Sequence, residues 1–157
     1  MSKHLLKFTV NGKDYALVVQ SHERLLDVLR DRLGLKGAKE GCSTDDCGIC
    51  GVLMDGRLVN SCLIFAIQAR NKRIVTIEGI GTAENLHPIQ RAFVKWNASQ
   101  CGYCIPAMIL ASKELLDKKP NATEDEIKKA TSGILCRCTG YLKIFEAVKT
   151  AAQEMKR

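Results

Sequence analysis

An α+β fold in two parts, strand-rich first and helical second, is predicted for this chain of 157 residues. Three observations predict it. Asn11-Gly12 and Asp55-Gly56, dipeptides that favour tight hairpins, each sit between short apolar runs. Near residue 79 the apolar spacing changes from strand alternation to the helical repeat. The eight cysteines fall into two groups that respect the same boundary.

The elements follow in order. "LLKFTV" and "DYALVVQ" have strand composition and flank the Asn11-Gly12 turn. "SHERLLDVLRDRLG" switches to helical spacing, with Leu25, Leu26, Leu29 and Leu33 on one face, Ser21 as its N-cap and Gly34 as its stop. A glycine- and cysteine-rich loop spans residues 37–51. A second hairpin, "VLM" and "RLVN", turns at Asp55-Gly56, and "RIVTIEGI" reads as a further strand. In the second half, "HPIQRAFVKWNAS", "PAMILASKELLDKK", "TEDEIKKATSG" and "YLKIFEAVKTAAQEMKR" read as helices. Pro88 and Pro106 suit first helical turns, and Thr123 with Glu126 forms a capping box. Four short helices predict a small bundle. Gly79 and Gly81 punctuate a linker, so the predicted units are residues 1–78 and 87–157, joined by 79–86. Halves of about 80 residues are marginal alone and benefit from covalent or metal staples.

Composition narrows the function classes. The chain is 46% hydrophobic and 26% charged, as in globular proteins. Its start reads as strand–turn–strand rather than an export signal, and no run has the length of a membrane span. A cytoplasmic location is expected, where structural disulfides are rare and clustered cysteines signal metal or redox chemistry. The formal charge of +7 is spread evenly, with 12 Lys+Arg against 9 Asp+Glu up to residue 78 and 12 against 8 beyond it. With only 5% aromatic residues to stack on bases, this argues against nucleic acid as a partner.

The first cysteine group, "GCSTDDCGICGV" with "NSC", supplies Cys42, Cys47, Cys50 and, after eleven intervening residues, Cys62. This is the plant-type spacing for a [2Fe–2S] cluster. Four thiolates are needed, and a loop around them must bring backbone N–H groups close to sulfur. Gly41, Gly48 and Gly51 permit that approach. A structural zinc site more often uses two well-separated pairs. The second group pairs Cys101 and Cys104 of "QCGYC" with Cys136 and Cys138 of "CRC", 31 residues apart. Two helices fit in that gap, so a helical hairpin returns the second pair to the first. Alone, this pattern leaves open a zinc site or a dithiol redox motif as well as a second cluster. The dithiol motif expects a βαβ setting and does not account for "CRC", and the neighbouring group favours iron–sulfur.

Together, "EGCSTDDCGICGV", "QCGYCIPAMI" and "GILCRCTGY" resemble the small iron–sulfur subunit of the molybdenum hydroxylases, the xanthine dehydrogenase, aldehyde oxidoreductase and carbon monoxide dehydrogenase family. The resemblance covers nearly the whole chain. It implies a β-grasp, plant-type ferredoxin-like domain followed by a four-helix-bundle [2Fe–2S] domain. It implies two [2Fe–2S] clusters: one on Cys42, Cys47, Cys50 and Cys62 nearer flavin, the other on Cys101, Cys104, Cys136 and Cys138 nearer molybdenum. Gln100 and Cys138 would lie beside the pterin. The implied partners are a large molybdopterin-binding subunit and a medium FAD-binding subunit, in a hetero-oligomer of which a dimer of heterotrimers is one form. The chain has no dinucleotide fingerprint, so substrate chemistry belongs to the partners. The implied role is a relay of single electrons from the molybdenum–pterin cofactor to FAD. Ile49 and Gly51 depart from the Ala and Thr usual beside the third ligand, which leaves the ligand spacing intact.

Other residues have blander readings beside functional ones. Asp45 and Asp46 either add negative charge near a cluster or form a solvated loop tip. Arg137 is either solvated or a partner contact. His4, His22 and His87 have no ligand spacing and read as surface, while Trp96 reads as core or interface and Met108 as core. A free-standing two-cluster electron carrier and a zinc-stapled interaction module stay open as rival functions.

Overall fold

The computed structural model describes residues 2–156 and has the mixed character expected, one sheet followed by helices. Strands β1 (Lys3–Val10) and β2 (Lys13–Gln20) form an antiparallel hairpin in which Val10 faces Lys13. Its turn works because Asn11 and Gly12 both take left-handed φ, 51° and 78°, matching the twist of the strands. β3 (Gly51–Met54) and β4 (Arg57–Asn60) repeat the device around Asp55 and Gly56. β5 (Arg73–Val75) lies between the hairpins, parallel to β1 and antiparallel to β3, giving the order β2-β1-β5-β3-β4.

Two elements differ from the sequence expectation. β5 ends early because Asn11 intercepts the chain: its Oδ1 accepts the Thr76 N–H and its Nδ2 donates to the Thr76 hydroxyl, both at 2.9 Å. Gly79 permits this, since a Cβ there would lie 2.1 Å from the Asn11 Oδ1. The first helix, α1 (Leu25–Asp27), continues as π-helical turns over Val28–Arg32 and stops near Gly34, at φ +71°. Ser21 does not cap it; the Ser21 amide donates to the Ser2 carbonyl and closes the end of the first hairpin. Arg24 precedes α1, bridges to Phe65, and grips Asp27 with two guanidinium hydrogen bonds of 2.8 and 2.7 Å.

The second half carries α2 (Pro88–Lys95), α3 (Ile105–Lys118), α4 (Glu124–Thr131) and α5 (Leu142–Glu154). Pro88 and Pro106 sit in first turns, and Thr123 and Glu126 cap α4 reciprocally. His87 caps α2, its Nδ1 accepting the Ile89 N–H, which gives this residue a structural role beyond a surface histidine. α2 packs on α5, α3 on α4, and the Trp96 indole N–H donates to Thr150 on α5 at 2.7 Å. Two apolar cores result. One joins Leu6, Val19, Leu26, Leu29 and Ile74 under the sheet; the other joins Ile89, Met108, Ile127 and Ile144 among the helices. Ile49, Leu58 and Ile77 reach from the first half onto the helical core, so the halves share packing. None of the described helices is long and apolar enough to cross a membrane.

Candidate metal centres

The first cysteine group is built by a loop whose backbone turns inward. Ser43, Asp45 and Gly48 all have left-handed φ, of 57°, 73° and 63°, which aims successive amides at sulfur. The Cys42 sulfur accepts the N–H of Thr44 at 3.4 Å and of Cys47 at 3.3 Å. The Thr44 amide and hydroxyl, then Cys47, bring the Cys42 thiol down to about 6. Cys50 opens β3 and Cys62 follows β4. Buried Ser61 holds the two ends together, its hydroxyl donating to the Cys50 carbonyl at 2.7 Å. Burial, then the Cys50 thiol beside it, pushes Cys62 up to about 11, against a smaller downward pull from the Asp45 backbone. The Asp45 carboxylate accepts from the Asn60 amide and that of Asp46 from the Thr44 hydroxyl, so both acids are exposed yet tethered.

The second group comes from two places. Cys101 and Cys104 flank a turn made by Gly102 at φ +81°, and Cys104 leads directly into α3. Cys136 and Cys138 lie between α4 and α5, so α3 and α4 form the return path that the 31-residue gap predicts. Burial, then the adjacent Cys136 thiol, pushes Cys104 up to about 12. Burial also pushes Cys136 upward, but the Thr139 hydroxyl at 3.1 Å and the amides of Cys138 and Thr139 outweigh it and hold the thiol low. The Tyr103 amide, then Cys138, lowers Cys101, and the Cys101 thiol raises Cys138. Cys101, Cys138 and Gln100 are exposed, whereas Cys47, Cys50, Cys62 and Cys104 are buried.

Both groups meet at one cleft of about 430 Å³. Cys42 and Cys47 line one wall and the four cysteines of the second group the other, with Ile49, Tyr103 and Arg137 at its sides. Three contacts close it. The Leu135 N–H donates to the Cys47 carbonyl at 2.9 Å, and the Tyr103 hydroxyl to the Glu40 carbonyl at 2.7 Å. Gly48 abuts Gly133 so closely that a Cβ would lie 2.2 Å from the Gly133 oxygen. The departures at Ile49 and Gly51 are matched to this junction. Ile49 fills it, and a Cβ on Gly51 would press on Leu58 and Ala107 at 3.2 and 3.3 Å. Gly51 thus serves packing between the halves rather than approach to sulfur.

The donor chemistry suits [2Fe–2S]. The thiols stand in neighbouring pairs, Cys42 with Cys47, Cys50 with Cys62, Cys104 with Cys136 and Cys101 with Cys138. A two-iron core takes four thiolates, two for each iron. A single zinc ion instead wants its four donors converging on one point. Gly41 leaves the room needed, since a Cβ there would lie 2.6 Å from the Cys47 sulfur. Ser61, Thr139 and Tyr141 also shape these loops. Their hydroxyls carried no signal of their own beyond lying within three residues of a cysteine in sequence.

Comparison with known proteins agrees. The family described as "2Fe-2S iron-sulfur cluster binding domain" matches residues 8–72, and "[2Fe-2S] binding domain" matches residues 76–149. The class is therefore an iron–sulfur protein with two [2Fe–2S]-binding regions in one chain. The nicotinate dehydrogenase small FeS subunit of Eubacterium barkeri is 44% identical over 98% of both chains. The aldehyde oxidoreductase iron-sulfur-binding subunit of Escherichia coli (strain K12) is 42% identical over 96% of this chain and 72% of its own. A chain of quinoline 2-oxidoreductase from Pseudomonas putida 86 superposes with a TM-score of 0.93, at 37% identity, over 99% of this chain and 97% of that one. This chain belongs to the family of small [2Fe–2S] iron–sulfur subunits of the molybdenum hydroxylases.

Proposed function

We propose that this chain holds two [2Fe–2S] clusters and relays electrons singly between a molybdenum–pterin cofactor and FAD, both carried by partner subunits. Cys42, Cys47, Cys50 and Cys62 would hold one cluster; Cys101, Cys104, Cys136 and Cys138 would hold the other. The observation that carries this reading is the meeting of the two thiol groups at one cleft, where Cys42 and Cys47 of the first set face all four cysteines of the second. When bound, such clusters supply one-electron acceptance and release.

The chain's own residues supply positioning and electrostatics. Amides of Thr44 and Cys47 donate to the Cys42 sulfur and favour its anionic form, one of the determinants of a cluster's potential. Burial of Cys50, Cys62 and Cys104 keeps water from one side of each set. The exposed end of the second set, Cys101 and Cys138 beside Gln100, is the side offered to the molybdenum–pterin partner. Leu135 and Tyr103 form an apolar rim there, 55% and 45% exposed. In this reading residues 1–78 are a β-grasp ferredoxin-like domain, 79–86 a linker and 87–157 a four-helix bundle. The partners are a large molybdopterin-binding and a medium FAD-binding subunit, in a cytoplasmic hetero-oligomer such as a dimer of heterotrimers. Nicotinate-, aldehyde- and quinoline-oxidising enzymes all have chains similar to this one, so the choice of substrate rests with the molybdenum partner.

Metal and acid-labile sulfide analysis with paramagnetic resonance tests the proposal. The purified protein should hold about four irons per chain and, when reduced, show two distinct [2Fe–2S] signals. A colourless protein containing zinc and no labile sulfide would overturn it. A monomer that reduces acceptors unaided would replace the subunit role with that of a free carrier.

A further inference from the structure

The segment Cys136–Leu142 folds back on itself in an unusual way. Gly140 and Tyr141 both take left-handed φ, 60° and 68°. For glycine this costs little, but for a bulky aromatic residue it is a genuine outlier that the surroundings must hold in place. Tyr141 stands at the N-cap of α5, yet its side chain makes no capping hydrogen bond to that helix. The strain therefore serves something other than α5.

What it serves is the cysteine loop. The reversal swings the ring back beneath Cys136, where it stacks on Phe145 with centroids 6.1 Å apart. The Tyr141 hydroxyl then accepts the Cys136 N–H at 2.8 Å and donates to the Ile134 carbonyl at 3.0 Å. With a donor and an acceptor both engaged, the direction of each bond is fixed. Thr139 completes the arrangement, accepting the Tyr141 N–H at 3.3 Å and donating to the Cys136 sulfur at 3.1 Å. Cys136 is thus held at both ends, its amide by one hydroxyl and its sulfur by another.

We infer that Tyr141 is a positioning residue for the second thiol set, its hydroxyl fixing the orientation of Cys136 and keeping that residue's amide away from sulfur. The inference rests on the iron–sulfur reading above and goes beyond it by naming the group that tunes one site alone. Hydrogen bonds to sulfur are among the determinants of cluster potential. The Tyr141 hydroxyl governs which amides can make them at Cys136. It makes no hydrogen bond to the loop of Cys42, Cys47 and Cys50, so its influence stops at one wall of the cleft.

The test uses the iron-loaded protein with the subunits that co-purify, as wild type, Tyr141→Phe and Phe145→Leu. Tyr141→Phe keeps the ring and removes the hydroxyl; Phe145→Leu removes the stacking partner and keeps it. The expected result is that Tyr141→Phe moves the g-values and midpoint potential of one of the two [2Fe–2S] signals, while the other superimposes on wild type. Phe145→Leu should leave both in place. Loss of half the iron in Tyr141→Phe, with one signal intact, also supports the inference. Unchanged signals in Tyr141→Phe, an equal shift in Phe145→Leu, or loss of both clusters in Tyr141→Phe would overturn it. Absence of iron from the wild type would instead remove the proposed function, a separate outcome.

Discussion

At the scale of single residues, Gly48 carries two demands at once. Its φ of +63° is left-handed, and the space for a Cβ is filled by the Gly133 carbonyl, 2.2 Å away. Its neighbour Cys47 offers the carbonyl bound by Leu135. The two thiol loops therefore meet backbone against backbone at this point, with the Ile134 side chain beside them. Gly48→Ala should destabilise the protein by about 2–4 kcal/mol, from the left-handed penalty together with overpacking. Denaturant titration checks the value; a change below about 0.5 kcal/mol would mean that the loops part freely. The glycine was legible in "CGIC" as a residue suited to close approach. What approaches it was not, because Gly133 lies far along the chain, and its place at the head of "GILCRCTGY" does not say what it packs against.

At the scale of elements, local chemistry was readable where local chemistry decides. Asn-Gly and Asp-Gly fix both hairpins, and Thr123 with Glu126 fixes the start of α4. Sequence reasoning fell short where a distant partner decides. The start of α1 is set by the pairing of Arg24 with Phe65 rather than by Ser21, and the end of β5 is set by the side chain of Asn11. The join between α4 and α5 is of the same kind. Glu124 pairs with Lys128 on its own helix and with Lys149 on α5, both at 2.7 Å. The hydrogen bonds from Lys128, then Lys149, hold its carboxyl down at about 2. A depressed folded-state value means that the contribution is present above the ordinary carboxylate range, near pH 4.5, and is lost as pH falls towards 2. The pair is exposed, so the contribution is small and screened by salt. Amide exchange in α4 should accelerate relative to α3 below pH 4.5, and Glu124→Gln should remove that difference. A ratio independent of pH in the wild type would show that the pairs do not hold the helices.

At the scale of the whole molecule, the cysteine spacings disclosed that two four-thiol sets exist, but not that they share a cleft. That depends on Ile49, Leu58 and Ile77 packing against helices that follow them in the chain, and on the Leu58 N–H reaching Glu114 on α3 at 2.9 Å. No local period encodes such contacts. The sheet order has a consequence for how the chain is made. β5, the central strand, is the last strand to leave the ribosome, and it alone joins the β1–β2 hairpin to the β3–β4 hairpin. Until residues 73–75 emerge, the two hairpins are separate pieces, and the loop carrying Cys42 and Cys47 is tethered between halves of an unfinished sheet. Stalled nascent chains exposing residues up to 70 should be cut readily by protease, and those exposing residues up to 80 should resist. Equal resistance at both lengths would show that the sheet does not need its central strand to close. On this arrangement the sheet has a built-in delay, since its two hairpins are joined only once a strand of three residues has emerged.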